Sequence, residues 1–427
     1  MRRWALALMV LAALVALAAV AWAGVGFFAR RGVDGATEVL ASPPTAGHAS
    51  AAPNADLASA INDFGFDLLR ATEASPTSGG SVVISPLSLH VMLSMLQTGA
   101  RGTSAAQMRR VLHTSDLDPS TAQQSYADLL VRLGQSEKGK LAIANSLWTG
   151  QKVPIEQSFI DTDRKYFGAE ARSVDLGSRS AMDEINTWVA KNTGGKIPTI
   201  LDSPLPPYTA SVLLNATYFL DMWETPFDKA GTQDADFHLA GGSTIKAKLM
   251  QVHDSFEHTK TADYEAIRLP YKDSDVSMIV VLPSKTSSLA GLVGSLDASS
   301  FAGLGRSMET GDGTLRLPRV ETTWGAELAG TLKRLGMPDV FSADSADLSG
   351  MTAVKPAWLD RVVHRTYLRV DEQGTEAAAV SLGVAGATAI APRNPFSMTV
   401  DRPYLMAIVD NTSGATLFLA AVSDPTR

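Results

Sequence analysis

The chain has 427 residues, no cysteine and a net charge of −7 at neutral pH. The lack of cysteine excludes disulfides and thiol catalysis, and an acidic balance without a basic stripe argues against a nucleic-acid partner. Hydrophobic residues make up 45% of the chain, which is enough for a sizeable core in one large domain or in two or three average ones.

The first 31 residues predict a segment outside the folded part. Residues 4–29 carry no charge and are numerous enough to span a bilayer as a helix. Residues 21–23 (Ala-Trp-Ala) also fit a signal-peptidase site, so a cleaved signal is the alternative to an uncleaved anchor. We therefore expect an extracellular protein, either secreted or anchored at the cell surface. Residues 32–55, rich in Ala, Ser, Thr and Pro, predict a flexible spacer.

Beyond residue 55 the hydrophobic periodicity predicts helices mainly in the first half and strands mainly in the second. The predicted helices cover 57–69, 86–99, 104–112, 155–167, 180–192 and 326–335. The predicted strands cover 81–84, 141–148, 212–220, 264–270, 276–283, 362–370, 404–410 and 415–422. Because there is no regular βαβ alternation, the fold class is α+β.

The stretch 371–388 contains no proline, and from Gly374 to Thr388 it consists mostly of small residues with Glu376 as its one charged residue. Such a segment can be a solvated loop and can also enter a β-sheet. Under strand alternation, one face would carry Thr375, Ala377, Ala379 and Ser381. That set is small enough to lie over a packed interior, while Glu376, on the opposite face, stays in water. A bulky charge or a proline on the inward face would block entry into a sheet.

Eight motifs in the chain occur in the order and spacing of one known family. They are Ile84-Ser-Pro-Leu-Ser, Ile185-Asn-Thr-Trp-Val with Thr193-Gly-Gly-Lys-Ile, Leu214-Asn-Ala-Thr-Tyr-Phe with Trp223-Glu-Thr-Pro-Phe, Leu317-Pro-Arg-Val, Ala346-Asp-Leu-Ser-Gly, Val363-His-Arg, Glu372-Gln-Gly-Thr-Glu-Ala-Ala-Ala and Asp401-Arg-Pro-Tyr-Leu. Together they resemble the serpin family, and the Glu372 motif resembles the hinge of the reactive-centre loop in inhibitory members. The resemblance implies a serpin domain over 56–427, with three β-sheets, eight or nine helices and an exposed loop.

The resemblance also implies roles for individual residues. The polar cluster over which the central sheet opens would be Ser85, Ser88, Asn215 and His364. The region where the loop enters that sheet would contain Trp223, Arg319 and Glu372, with an ion pair between the last two. The hinge would consist of Glu372, Gly374, Thr375, Glu376, Ala377, Ala378 and Ala379.

The implied activity is inhibition of serine proteases by a suicide substrate. The protease cuts the exposed loop, an acyl-enzyme forms, and the freed segment inserts as an extra strand of the central sheet and distorts the protease. The family's spacing from Glu372 predicts the scissile bond at Thr388–Ala389. Because the segment up to Arg402 is somewhat long, Ala389–Ile390 and Ile390–Ala391 remain open.

Small apolar side chains surround all three bonds and suit a shallow protease pocket. The expected partners are therefore elastase-like or subtilisin-like serine proteases, since a trypsin-like enzyme would need Arg393, which lies too far from the hinge. The inhibitor is expected to be a monomer without a cofactor, and the N-terminal segment would contact the membrane.

Three other readings fit parts of the sequence. Ser85 and His364 could belong to a hydrolase triad, but neither Ser85 nor the nearby Ser88 lies in a G-x-S-x-G elbow. Asp234, Asp236 and His238 alternate along a strand and could bind a metal, but no fourth ligand is evident, so no metal is expected. A non-inhibitory serpin that binds or carries a ligand is the alternative function, although its hinge would usually be bulky, charged or rich in proline.

Overall fold

Two β-sheets and the helices packed on them form the architecture, seen in a computed structural model that describes residues 43–73, 80–134, 140–375 and 394–427. The predicted membrane or signal segment, residues 1–31, lies outside the described residues. The same holds for residues 376–393, which include part of the hinge and every candidate scissile bond.

Nine α-helices lie in the described parts of the chain. They are α1 (Ala55–Glu73), α2 (Pro86–Gly99), α3 (Gly102–Val111), α4 (Pro119–Gly134), α5 (Gln157–Phe167), α6 (Arg179–Asn192), α7 (Leu289–Ser295), α8 (Ala298–Arg306) and α9 (Ala329–Leu335). Helix α2 begins with Pro86 after the N-cap Ser85, whose hydroxyl accepts from Ser88 N, as expected at a helix start. Among the helices of these described ranges, none combines the length and apolar character needed to cross a membrane.

The predicted helices at 155–167 and 180–192 are confirmed to within two residues at each end. The predicted helix at 326–335 was wrong at its start, because a strand continues through Glu327. Ala326 pairs with His364 and Glu327 with Val363 in that strand. The helix therefore begins only at Ala329.

The strands number fifteen in the described chain. They are β1 (Val82–Ile84), β2 (Lys140–Gly150), β3 (Glu170–Val174), β4 (Ser211–Met222), β5 (Gln233–His238), β6 (Thr244–Lys260), β7 (Tyr264–Pro270), β8 (Val276–Pro283), β9 (Glu309–Pro318), β10 (Val320–Glu327), β11 (Arg361–Val370), β12 (Gly374–Thr375), β13 (Phe396–Thr399), β14 (Tyr404–Asp410) and β15 (Thr416–Val422). The predicted pairing of β7 with β8 and the C-terminal hairpin of β14 and β15 are confirmed.

A nine-stranded sheet has the order β1-β15-β14-β8-β7-β6-β9-β13, with β5 also paired to β6. The 17-residue strand β6 pairs in turn with β5, β9 and β7 along its length. Strand β6 therefore joins two of the three sheets implied by the family resemblance into one continuous hydrogen-bonded sheet.

The six-stranded sheet has the order β10-β11-β4-β2-β3, with the short β12 also paired to β4. The central strand β4 is an almost uninterrupted buried run, as expected for a strand covered on both faces. It pairs in parallel with β11 from Val212–Arg361 to Tyr218–Tyr367. Leu213 and Phe219 of β4 face the main core, while Val212, Leu214 and Ala216 face α6.

Residues 43–54, the described part of the predicted spacer, lie against α4 and α5. The Ala46 N–H donates to Lys165 O (3.0 Å), and Gln124 Nε2 donates to Ala46 O (2.8 Å). Gly47 fits so closely that an added Cβ would lie 2.3 Å from Ala127 O. The packed part of the chain therefore begins before residue 55.

Helix α5 carries a buried carboxyl group, Asp163, on its inner side. Neither of its oxygens makes a well-formed hydrogen bond in the described chain, and its side chain is fully buried. Burial raises the pKa of Asp163 well above its ordinary value, and the neighbouring Thr98 hydroxyl opposes that shift only in part. The folded state therefore favours a protonated, neutral Asp163.

The substitution Asp163→Val should raise the free energy of unfolding at pH 7 by about 1–3 kcal/mol, because it removes a buried polar group that makes no well-formed hydrogen bond. A raised folded-state pKa means that wild-type stability is lost as pH rises, so the gain should shrink near pH 4. Urea unfolding at both pH values measures the effect. Asp161→Val, an exposed carboxylate on the same helix, is the control; equal gains for both variants would contradict the prediction.

Candidate functional site

A buried polar cluster joins three neighbouring strands to α2. Asn215 on β4 lies in register with His364 on β11 and with Asn145 on β2, so their side chains meet at one level of the sheet. The Asn215 amide donates to Asn145 Oδ1 (2.5 Å) and to the Ser88 hydroxyl. The four side chains are at most 3% exposed.

The hydrogen bonds fix the tautomer of His364. Its Nε2 accepts from the Ser85 backbone N–H (3.2 Å), so the ring proton lies on Nδ1 and is donated to Asn215 Oδ1. Burial lowers the pKa of His364 to about 3, so the ring is neutral at physiological pH. The Ser85 hydroxyl donates to Leu417 O (2.6 Å) and does not face this nitrogen. The pair thus lacks the nucleophile–base contact that a hydrolase triad needs.

The backbone of residues 371–373 is held by an aromatic stack beside β4. Trp223 stacks on Tyr271, with ring centroids 4.5 Å apart. Its indole N–H donates to Asp371 O (2.9 Å), and its backbone N–H donates to Gln373 O (2.9 Å). The stack therefore holds the backbone on which the hinge begins.

Glu372 forms the second attachment of the loop base. Its side chain is only 2% exposed, and its Oε1 accepts from Arg319 Nε (2.7 Å) and from the Thr232 hydroxyl. Burial alone would raise the pKa of Glu372, but the hydrogen bonds from Arg319 and Thr232 outweigh it and lower the pKa. The carboxylate is therefore charged and paired. Because Arg319 is 44% exposed, the pair is partly screened by water.

Gly374 and Thr375, the first residues of β12 and part of the predicted hinge, are paired in the sheet. Gly374 pairs with Met222 and Thr375 with Asp221, in an antiparallel arrangement. Only glycine fits at 374, because an added Cβ would lie 2.1 Å from Asp221 O. Thr375 is fully buried, and its hydroxyl hydrogen-bonds the Tyr271 hydroxyl (2.6 Å).

The remaining predicted site residues divide into two groups. The hinge residues Glu376, Ala377, Ala378 and Ala379 and the candidate bonds formed by Thr388, Ala389, Ile390 and Ala391 lie outside the described residues. In the β5–β6 hairpin, Asp234 pairs with Lys248 (2.9 Å) and Asp236 with Lys246 (2.8 Å). No group of three or more metal-ligating side chains converges in the ranges that the structure covers.

Asn145, Thr232 and Tyr271 belong to the site but do not stand out in the sequence. Each lies in a strand or turn without a distinctive motif, and each reaches the site through contacts between distant residues. The single available signal is the polar pair Asn145-Ser146 within an otherwise apolar strand.

Comparisons with known proteins agree with this geometry. Residues 59–425 match the sequence model of the family described as Serpin (serine protease inhibitor). Leukocyte elastase inhibitor A of Rattus norvegicus is 32% identical over 382 residues, covering 86% of this chain and 99% of the relative. Intracellular coagulation inhibitor 1 of Tachypleus tridentatus is 32% identical over 374 residues, covering 85% of this chain and 87% of the relative.

Solved structures have the same fold. The native state of tengpin, a thermophilic serpin, superposes with a TM-score of 0.81 at 26% identity, covering 90% of this chain and 97% of tengpin. Human thyroxine-binding globulin in complex with thyroxine gives a TM-score of 0.79 at 25% identity, covering 87% of this chain and 99% of the globulin. The chain belongs to the serpin family, and the family resemblance seen in the sequence is confirmed.

His364 should remain neutral well below the pH at which an unfolded histidine takes up a proton. Its pKa is about 3 in the folded state and about 6.5 when unfolded, so this residue contributes stability above pH 6.5 that is lost as pH falls. At pH 5 the loss should be about 2 kcal/mol, from 1.36 kcal/mol per pKa unit.

An NMR titration of labelled histidines tests this assignment. The His364 ring should show no protonation between pH 8 and 4.5. His113 is the internal control, because its hydrogen bond to Asp67 raises its pKa above the ordinary value. A midpoint for His364 near 6.5 would show that the cluster does not hold the ring as described.

Proposed function

We propose that the chain inhibits serine proteases as a suicide substrate, by inserting its cleaved loop between β4 and β11. The supporting observation is the point at which the pairing of these two strands ends. Their parallel pairing runs only to Tyr218–Tyr367, and the hinge pairs with β4 three and four residues further on, at Asp221 and Met222. The loop therefore starts at the open end of the gap that an inserted strand would fill.

The observed register allows the pairing partners of the inserted residues to be assigned. If the pairing of Thr375 with Asp221 continues, Ala377 lies opposite Phe219 and Ser381 opposite Asn215. Directly opposite residues share a face, so these small side chains would lie over the main core. The inserted strand would run antiparallel to both neighbours, and its backbone groups would be satisfied on both sides.

Insertion would also move a protease attached to the loop. About 15 residues in an extended strand, at about 3.3 Å each, carry the cleaved end about 50 Å along the sheet. We propose that Ser85, Ser88, Asn215 and His364 fix the closed sheet and release it during this step. Trp223, Arg319 and Glu372 would hold the loop base while the rest moves.

The target class follows from the loop sequence. We propose cleavage at Thr388–Ala389, with Ala389–Ile390 and Ile390–Ala391 as alternatives, by elastase-like or subtilisin-like serine proteases. The small residues around these bonds support that class, and a relative named leukocyte elastase inhibitor A supports its elastase-like part. We further propose that the inhibitor acts as a monomer outside the cytoplasm, anchored or released according to the fate of residues 1–31.

Mixing the chain from residue 43 onward with pancreatic elastase or with subtilisin should give a covalent complex at the summed mass on a denaturing gel. Sequencing of the released C-terminal peptide identifies the scissile bond, and Ala389 is the expected first residue. Cleavage without a covalent band, and without a gain in thermal stability of the cut form, would contradict the proposal. The alternative function, a non-inhibitory serpin that binds or carries a ligand, would then be favoured.

Ala377→Arg should convert the inhibitor into an ordinary substrate. In the proposed register Ala377 lies opposite Phe219 and faces the main core, so an arginine there would have to be desolvated for the strand to insert. We expect the covalent fraction to fall at least about tenfold, which corresponds to about 1.4 kcal/mol. Glu376→Arg is the matched control, because strand alternation directs that position to the opposite face. Trapping by Ala377→Arg at the level of this control would rule out insertion on the inward face described.

A further inference from the structure

A group of hydrogen bonds closes the far end of the gap between β4 and β11. Asp360 directly precedes β11, and its Oδ2 accepts from the backbone N–H groups of Ala210 (2.5 Å) and Ser211 (3.1 Å), at the start of β4. The hinge pairs with β4 at the other end of that strand. We call these three residues, together with Trp358, the distal clasp.

Further hydrogen bonds hold the carboxylate of Asp360 in place. Its Oδ1 accepts from the Trp358 indole N–H (2.9 Å), and the Ser211 hydroxyl donates to Trp358 O (2.7 Å). The backbone N–H of Asp360 donates to Ser211 O (3.0 Å). Both carboxylate oxygens are therefore acceptors, and Ser211 is fully buried. Hydrogen bonds to a carboxylate are stronger than those between neutral groups, so the distal clasp is a firm attachment between the two strands.

The distal clasp occupies backbone groups that an inserted strand would need. Continuing the pairing of Thr375 with Asp221 places Ala385 opposite Ser211. The N–H and the carbonyl of Ser211 are both bonded to Asp360, so both point into the gap between β4 and β11. A strand inserted there would need these two groups for its own ladder. Ala385 can therefore pair with Ser211 only after the distal clasp has opened.

The distal clasp and the hydrogen bond between Asn215 and His364 restrain different stages of insertion. In the same register Ser381 lies opposite Asn215 and Leu382 lies opposite Leu214. A strand that ends at Leu382 has passed the middle of the sheet but has not reached the distal clasp. The two attachments can therefore be distinguished by the length of the inserted strand.

We propose that Asp360 is a positioning residue for the last step of loop insertion: its carboxylate keeps the far end of the gap closed until the entering strand reaches Ser211. This inference rests on the proposed insertion mechanism. The physical reason is competition, because Asp360 and Ala385 require the same backbone groups of Ser211. Separation of the two strands also takes the backbone donors away from the carboxylate. The distal clasp therefore opposes entry of the final residues of the strand and not of the earlier ones.

Two peptides of different length isolate this step from the protease. Both begin at Ala377 and carry the same N-terminal fluorophore and a C-terminal amide. The short peptide ends at Leu382, and the long one ends at Gly386, which would lie opposite Ala210. Their binding to the full-length protein in mild detergent is followed by fluorescence anisotropy, and the association and dissociation rates give the affinity for each peptide. The quantity compared is the ratio of the two affinities, long over short.

Asp360→Ala should raise this ratio about tenfold, the effect expected from the net loss of one hydrogen bond to a charged group, while the affinity for the short peptide stays unchanged. Asp360→Asn is a second variant in case alanine disturbs folding. Its single amide oxygen cannot accept from the backbone and from Trp358 at once, so the ratio should rise by a smaller factor. Asp175→Ala is the matched control, because it removes an exposed carboxylate directly after β3, at the same end of the sheet, and it should keep the wild-type ratio.

The outcomes separate the two proposals. If neither peptide binds to the wild-type protein or to any variant, the insertion mechanism fails and this inference fails with it. If both peptides bind but Asp360→Ala and Asp360→Asn keep the wild-type ratio, insertion stands and the role of Asp360 is overturned. If Asp360→Ala binds both peptides more tightly by the same factor, the substitution loosens the closed sheet as a whole, which also overturns a role in the last step.

Discussion

The parallel pairing of β4 with β11 is the interaction on which the rest of the structure depends. It extends over seven residue pairs, and each strand is also paired on its outer side, β4 with β2 and β11 with β10. Separating the two strands breaks one ladder of hydrogen bonds, while a strand inserted between them forms two. The closed sheet is therefore stable against small distortions and yet has a lower-energy arrangement available whenever a strand of the right sequence can reach the gap.

Two polar attachments keep the closed arrangement in register. In the middle of the sheet, Asn215 binds His364 across the β4–β11 pair, and a slip of either strand would leave buried donors and acceptors unpaired, at about 1–3 kcal/mol each. At the top, the buried Glu372 is held by Arg319. Apolar contacts tolerate sliding, whereas these groups are satisfied at one register only. Separation of β4 from β11 must therefore break these hydrogen bonds outright, because no intermediate register satisfies them.

The sequence predicts the parts of the fold that have strong periodicity or strong turn signals. The paired strands β7 and β8, the C-terminal hairpin and helices α5 and α6 are of this kind. Helices α7 and α8 were not predicted, because seven and nine residues give too few turns for a helical period to show. Ser88, Asn215 and His364 were identified by family resemblance alone, since strand pairing brings together residues far apart in sequence.

Asp163 shows why a buried carboxyl group without full hydrogen bonding does not by itself regulate a conformational change. It packs between α5 and α2, whereas the separating strands are β4 and β11, so its cost is common to the closed and the inserted sheet and cancels in their difference. A group shifts an equilibrium or a barrier only by the difference in its own free energy between the states. The hydrogen bond between Asn215 and His364 meets that condition, because it joins the two strands that separate.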